Sequence, residues 1–538
     1  MGIFNTSHDD GGAGSASAGT FKLKAGVAIA QNDGVQLGPD GKAWPVKVTD
    51  YAAVANCAYG TAQTNAATGR IVAQTSIVGS STQAFSKQAV VQGSDGNIYT
   101  LTDDAASTGL RLTCYSAAGA LIAQATLDVA NSYKNHHILL LSDGTLACLA
   151  QYSTFLNYAV YDGLLNPVKT LASVGEASCN VLAGGSLFSA CTLAGGGFAV
   201  VFAQEANRLL SRLATFSNAG VAVLAPTTIW TRTGTAAAQY HKMRQLSSGN
   251  LVVAVSSTNT VSSIGLYHGI VTTGGASVLA FTNLDVASMA SFPELSVMAG
   301  YYCVARANAT TQLASVFSNI GALQGAGFTN ATVTNSNRIK VVNDGAAFWL
   351  IWPWADGVNP GREKLTKLPT AGAGYVTTNI DTVTSQYNRY IDAFYENGMI
   401  VAVSQDGGTS SAPALWVIST ATCQLVNASK TDFGSAASTA GLLHRVIPGG
   451  DFSFICVYEF TTAQETFLAI GKYANTAVMG VALAAAAEGS LVSVGVAAGA
   501  YATNQLNGTA SKQFDHSAAN IYGNKGALLS NGAVLKGF

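Results

Sequence analysis

The sequence predicts an all-β chain built around a β-propeller. Three observations predict it. A segment of about fifty residues recurs eight times between roughly positions 84 and 475. Each copy carries an apolar stretch, a turn ending in glycine, and a second apolar stretch. No sustained apolar spacing of three and four runs through the repeats, so helical repeats are excluded.

The repeat reads VVQGSDGNIYTL, ILLLSDGTLACLA, CTLAGGGFAVVFA, RQLSSGNLVVAVS, LSVMAGYYCVARA, VVNDGAAFWLIW, FYENGMIVAVS and VIPGGDFSFICVY. Its turn glycines are Gly96, Gly144, Gly197, Gly249, Gly300, Gly345, Gly398 and Gly450, at intervals of 48, 53, 52, 51, 45, 53 and 52 residues. Asp-Gly, Asn-Gly and Ser-Gly between apolar runs mark hairpins, because type I′ turns need positive φ at both central residues. A second turn follows in many copies, read as ending at Gly119, Gly163, Gly220, Gly269 and Gly321. Two hairpins per repeat give four strands, which is one propeller blade. Eight turn glycines predict eight blades. Seven blades and one stray hairpin, with the unit near Gly96 set aside, is the competing count.

Composition fits this architecture. Hydrophobic residues are 49% of the 538 and charged residues only 10%, with Ala, Gly, Ser, Thr and Asn in their place. Disordered chains are charged and poor in aromatics, so this is not one. Net charge is −1, and no basic stripe offers itself to nucleic acid. Gly480 to Ala502 is the most apolar window, but Glu488 and several glycines interrupt it, and no membrane insertion is expected. No basic start followed by an apolar stretch marks a signal peptide at the N-terminus. The eight cysteines form no C-x-x-C pair and are expected to be reduced core thiols.

The expected domain order is a flexible arm over 1–20, an N-terminal β-module over 21–83, the propeller over 84–475, and a C-terminal β-module over 476–538. The two modules are expected to pack as one small β-sandwich-like domain. The stretches 60–79 and 480–499 align without a gap at three glycines, which reads as a duplicated module.

The terminal stretches KAGVAIAQNDGVQLGPDGKAWPV, MGVALAAAAEGSLVSV and ANIYGNKGALLSNGAVLKGF resemble modules of tailed-bacteriophage tail-fibre and other virion surface proteins. The resemblance covers roughly 22–80 and 476–538. It implies a structural virion protein assembled in the host cytoplasm, a tail fibre or similar appendage that displays its propeller for host attachment. The implied partners are other virion proteins, further copies of the same chain and a host surface polysaccharide. The competing reading is a propeller lectin or polysaccharide-degrading enzyme.

No catalytic constellation emerges: G-x-S-x-G, H-E-x-x-H and P-loop patterns are all missing. Asp103, Asp104, Glu396 and Asp406 are carboxylates but read as turn and surface residues. No enzymatic activity, cofactor or metal is expected. Two polar or aromatic features stand out as ligand-binding candidates. Basic or histidine-containing clusters precede several turn glycines and supply His137, His241, Arg338, Arg389 and Arg445. Equivalent positions of successive blades fall on one ring, so these residues are expected to circle the axis. The second feature is FWLIWPWADG, where Trp352 and Trp354 alternate onto one side of an extended chain and indoles stack on sugars.

Overall fold

A computed structural model of the protein describes residues 20–25, 28, 34–37, 43–45, 70–77, 89–103, 109–131, 133–153, 155–176, 188–204, 210–231, 239–257, 265–285, 293–307, 312–325, 327–330, 339–354, 362–380, 391–405, 413–426, 431–432, 445–450, 453–460, 465–473, 478–482, 491–495, 502–503, 512–515, 526–529 and 534–536. Every regular element among them is a strand. The chain divides into two compact units, one made of 1–70, 450–453 and 472–538, the other of 71–449 and 454–471.

The larger unit is an eight-bladed propeller. Blades one to eight begin with Ala89–Gln92, Tyr133–Leu140, Phe188–Thr192, Gln239–Gln245, Glu294–Met298, Lys340–Asn343, Ile391–Glu396 and Arg445–Gly450. Within blades one to seven the strands pair in chain order. In the seventh, the fourth position is shared by Gln424–Leu425 and Thr431–Asp432, both paired with Pro413–Ser419.

Strand patterning shows why these sheets stack radially. The second strands are buried on both faces: Phe198–Ala203 is FAVVFA without an exposed residue. The fourth strands alternate toward solvent, as in AVLAPTTIWT of Ala222–Thr231. First strands of successive blades touch one another, so they line the axis. A blade therefore has two apolar faces and cannot fold alone. Its core is the seam with its neighbour. Leu149, Tyr158 and Val160 of blade two pack with Phe188, Phe198 and Phe216 of blade three. The ring closes where Ile455, Val457 and Leu468 of blade eight meet Ile77, Val90 and Tyr115.

That closure corrects the expected boundary at 84. Arg70–Ser76, placed by sequence in the N-terminal module, is the fourth strand of blade eight, beside Glu465–Lys472. Ile77 N donates to Thr466 O at 2.7 Å just beyond it. A strand from one end of the repeat array thus completes the blade at the other end, and the ring has no open seam. The two aligned stretches take different places in the structure. Leu491–Gly495, which aligns with the Arg70–Ser76 region, pairs with Thr20–Lys24 in the other unit.

All eight turn glycines take positive φ, between 71° and 93° including Gly196. Most of these turns are not type I′. In blade two, Leu141 N donates to Thr145 O and Gly144 N to Leu141 O, a type I turn followed by a bulge glycine. Asn397-Gly398 keeps positive φ at both residues, as type I′ requires. In blade three the equivalent glycine is Gly196 rather than Gly197. The second turns follow one rule: a Ser, Thr or Asp accepts from the backbone four residues on. Ser116, Asp162, Ser217, Thr272 and Ser318 do so at 2.7–3.2 Å. Their left-handed residues are Gly119, Leu165, Gly220, Gly275 and Gly321. Gly163 and Gly269 were misassigned; Gly269 lies inside the strand Gly265–Val271.

The smaller unit holds an antiparallel sheet in the order Thr20–Lys24, Leu491–Gly495, Val478–Ala482, Gly34–Leu37 and Ala43–Pro45. Both ends of the chain therefore build one sheet. A second sheet runs Ala502–Thr503, Lys512–Asp515, Gly526–Leu529 and Val534–Lys536. Residues 1–19 of the expected arm lie outside the described residues, and Thr20 already opens a strand. Of the cysteines, Cys114, Cys148, Cys191, Cys303 and Cys456 are free and buried and Cys423 is half-buried; Cys57 and Cys179 lie outside the described residues.

Candidate functional site: a charged ring on the propeller axis

The first strands place one residue of each blade at the same height. It stands four residues before the turn begins, which gives Ala89, His137, Ser189, Lys242, Glu294, Lys340, Asp392 and Arg445 in blades one to eight. Two inter-blade hydrogen bonds confirm the register. Ser189 Oγ accepts from Met243 N at 3.1 Å, and Asp392 Oδ2 accepts from Val446 N at 3.0 Å. In both, the ring residue of one blade reaches the residue after the ring position in the next.

Blades four to eight carry a chain of alternating charge at this height. Lys242 Nζ lies 3.1 Å from Glu294 Oε1. Lys340 Nζ lies 3.6 Å from Glu294 Oε2 and 2.6 Å from Asp392 Oδ1. Arg445 Nη1 lies 3.8 Å from Asp392 Oδ2. The four groups at the centre of the chain are 10–20% exposed, and the Arg445 side chain is 41% exposed. Blades one to three place Ala89, His137 and Ser189 here, with no carboxylate among them.

Burial by itself disfavours the charged forms of Glu294, Asp392, Lys340 and Lys242, and for the first three their partners reverse that. It works to raise the Glu294 carboxyl, but Lys242 and Lys340 outweigh it and bring the group down to about 2. Asp392 is likewise carried against its burial by Lys340 and Arg445, to about 2. Lys340 lies above the ordinary lysine value, since Asp392 and Glu294 together exceed the effect of its burial. Lys242 goes the other way. Burial lowers it to about 8, Glu294 opposes this, and the cations Lys340, Arg445 and Arg244 add to the fall.

The sequence candidates divide against this frame. His137 and Arg445 occupy ring positions. His137 is half-buried and its ring packs 4.6 Å from that of Phe188. His241 is not in the ring: strand alternation puts it on the face toward blade three, where it is buried and its Nε2 lies 2.9 Å from Ser211 Oγ. Its neighbour Lys242 takes the ring position. Arg338 and Arg389 lie outside the described residues. Trp352 is no sugar platform. It is fully buried, donates from Nε1 to Thr366 Oγ1 at 3.0 Å, and packs 5.6 Å from Phe328 in the seam of blades five and six. Trp354 sits in the strand Ala347–Trp354, its side chain outside the described residues. Sequence reasoning missed Glu294, Lys340 and Asp392.

A second concavity of about 620 Å³ opens between the turns of blades three and four, lined by Leu193, Phe216, Asn218, Val223 and Thr273 among others. It is mainly apolar. Its Asn218 is committed to Gly197 N and to Ser142 Oγ of blade two.

No protein-family model matches the chain, and no characterised protein matches it by sequence. Among solved structures, a protein of unknown function from Dyadobacter fermentans is similar over 76% of this chain and 99% of its own, at 10% identity and a TM-score of 0.40. The BP39L lectin of Burkholderia pseudomallei matches over 67% of this chain and all of its own, at 12% identity and a TM-score of 0.38. The polysaccharide lyase Uly1 matches over 84% and 99%, at 10% identity and a TM-score of 0.39. Likeness at this level carries neither ligand nor activity over to this chain. Its own strand pairing makes it an eight-bladed β-propeller closed by a strand from outside the repeat array.

Proposed function

We propose that the protein is a non-enzymatic, structural and adhesive component of a tailed-phage virion, a tail fibre or similar appendage that displays its propeller toward a host-surface glycan. The virion assignment is supported by the resemblance of the terminal modules, whose strands from both chain ends share one sheet. Other virion proteins and further copies of the chain are its partners in this reading. Attachment is supported by one observation above all: the axial ring ends in a half-exposed guanidinium while its carboxylates are locked in ion pairs. A glycoside hydrolase needs one carboxyl protonated near neutrality. Glu294 and Asp392, both held at about 2, are ionised there and serve as partners to lysine.

Gold-labelled antibody against the propeller, applied to purified phage particles, tests the assignment. Labelled appendages are expected, and particles that lack the chain overturn it. Purified chain incubated with host polysaccharide is expected to bind without releasing new sugar ends. Release of such ends would move the protein to the competing class of polysaccharide-degrading enzymes.

A further inference from the structure

Among the described residues the charges on the axis do not balance. Lys242, Lys340 and Arg445 face Glu294 and Asp392, and Arg244 stands two residues beyond Lys242 on the same strand and thus on the same side of it. Four cations share two carboxylates. Lys340 contacts both carboxylates, and Lys242 contacts one. Arg445 has a single long contact of 3.8 Å, to an oxygen that already accepts from Val446 N. Arg244 is exposed, and its described hydrogen bond runs to the Met243 carbonyl at 3.1 Å. Among the described residues no carboxylate lies within ion-pair distance of it. In a ring of eight, blade four and blade eight stand opposite each other. Two guanidinium groups therefore stand on the first strands of opposite blades, Arg445 at the ring position and Arg244 two residues along from it. The arc of Ala89, His137 and Ser189 beside them brings no carboxylate to compete.

We propose that Lys242, Arg244 and Arg445 form an anion-binding site on the propeller axis, and that its ligand is a carboxylate carried on a sugar. A planar guanidinium matches a carboxylate through two parallel hydrogen bonds, and two of them on opposite sides fix its orientation. Lys242, on the same strand face as Arg244, adds a point charge beside it. Uncompensated cations in a half-buried channel are costly to fold, and an anion removes that cost. Arg445 and Arg244 both add to the lowering of Lys242, after its burial. The anion site stands on this geometry alone. That the carboxylate belongs to a sugar rests on the attachment reading.

Titration calorimetry of the full chain with glucuronate, inorganic sulfate and glucose tests it. Glucuronate is expected to bind and glucose not. R244A and R445A are each expected to weaken glucuronate about tenfold or more, the effect of losing a hydrogen bond to a charged group. R244K and R445K keep the charge without the fork and should weaken it less, which also covers the case of an alanine variant that fails to fold. Unchanged glucuronate affinity in both alanine variants overturns the site. Sulfate binding without glucuronate binding overturns the sugar carboxylate as ligand. Either result can coexist with labelled phage particles, so failure of this site is distinguishable from failure of the virion assignment.

Discussion

Asp392 is the hub of the axial chain, and removing it gives the sharpest energetic test of that chain. Its carboxylate takes Lys340 at 2.6 Å, Arg445 at 3.8 Å and the Val446 amide at 3.0 Å. Asp392→Ala leaves Lys340 with only the 3.6 Å contact to Glu294 and leaves a buried amide without its acceptor. Breaking a buried pair from one side costs about 3–5 kcal/mol. Residual exposure and the surviving Glu294 contact place this case at the lower end, about 3 kcal/mol. Linkage gives an independent figure. A carboxyl held at about 2 against an ordinary 3.8 is worth about 2 kcal/mol. Because the folded value is depressed, that contribution is complete above the unfolded value and is lost as pH falls from about 4 through 2. The assay is denaturant unfolding followed by tryptophan fluorescence, with Trp349 and Trp352 reporting on the propeller. Asp392→Ala, Lys340→Met and the double variant form a cycle, in which a coupling of about 2 kcal/mol at pH 7 is expected. Additive losses, or a single loss under about 0.5 kcal/mol, would refute the claim that the chain holds the inner strands together.

Gly144→Ala meets open space and should cost only its backbone strain, about 1 kcal/mol, whereas a methyl at Gly197 runs into the Phe216 carbonyl oxygen and Gly197→Ala should cost several times more; equal unfolding midpoints would contradict this. His268 is buried between Tyr302 and Phe317, and burial lowers it to about 4. Its folded value lies below its unfolded one, so propeller stability should drop as pH falls from about 6.5 to 4, and His268→Phe should flatten that step in a pH series of midpoints. Deleting 1–76 should open blade eight and lower the propeller's midpoint sharply, while deleting 1–69 should leave it near that of the intact propeller; matching curves for the two truncations would show that Arg70–Ser76 does not close the ring.

Much of the fold was legible because hairpins punctuate the blades at nearly constant intervals. The eight turn glycines and the apolar second strands were visible as text. The closing strand was not, since RIVAQTS lacks a hairpin partner in sequence and resembles the terminal module in composition. The axial ring was only half legible. Counting back from the turn glycine puts Lys242 seven residues away, Glu294 and Asp392 six, and Lys340 and Arg445 five, because the turns differ in length. Counting from the residue that opens the turn brings them into register. Histidine was misleading for a related reason: His241 and Lys242 are adjacent, and alternation along a strand turns His241 toward blade three and Lys242 toward Glu294 of blade five. Trp352 misled because a buried indole satisfied by a threonine hydroxyl looks, in sequence, like an exposed one.

A density map of the full chain with glucuronate bound tests the central claim most directly. The account predicts eight blades, with Lys242, Glu294, Lys340, Asp392 and Arg445 in consecutive contact at one height and the sugar carboxylate on the axis between Arg244 and Arg445. A carboxylate bound elsewhere, or these five side chains dispersed among different levels of the channel, would contradict it.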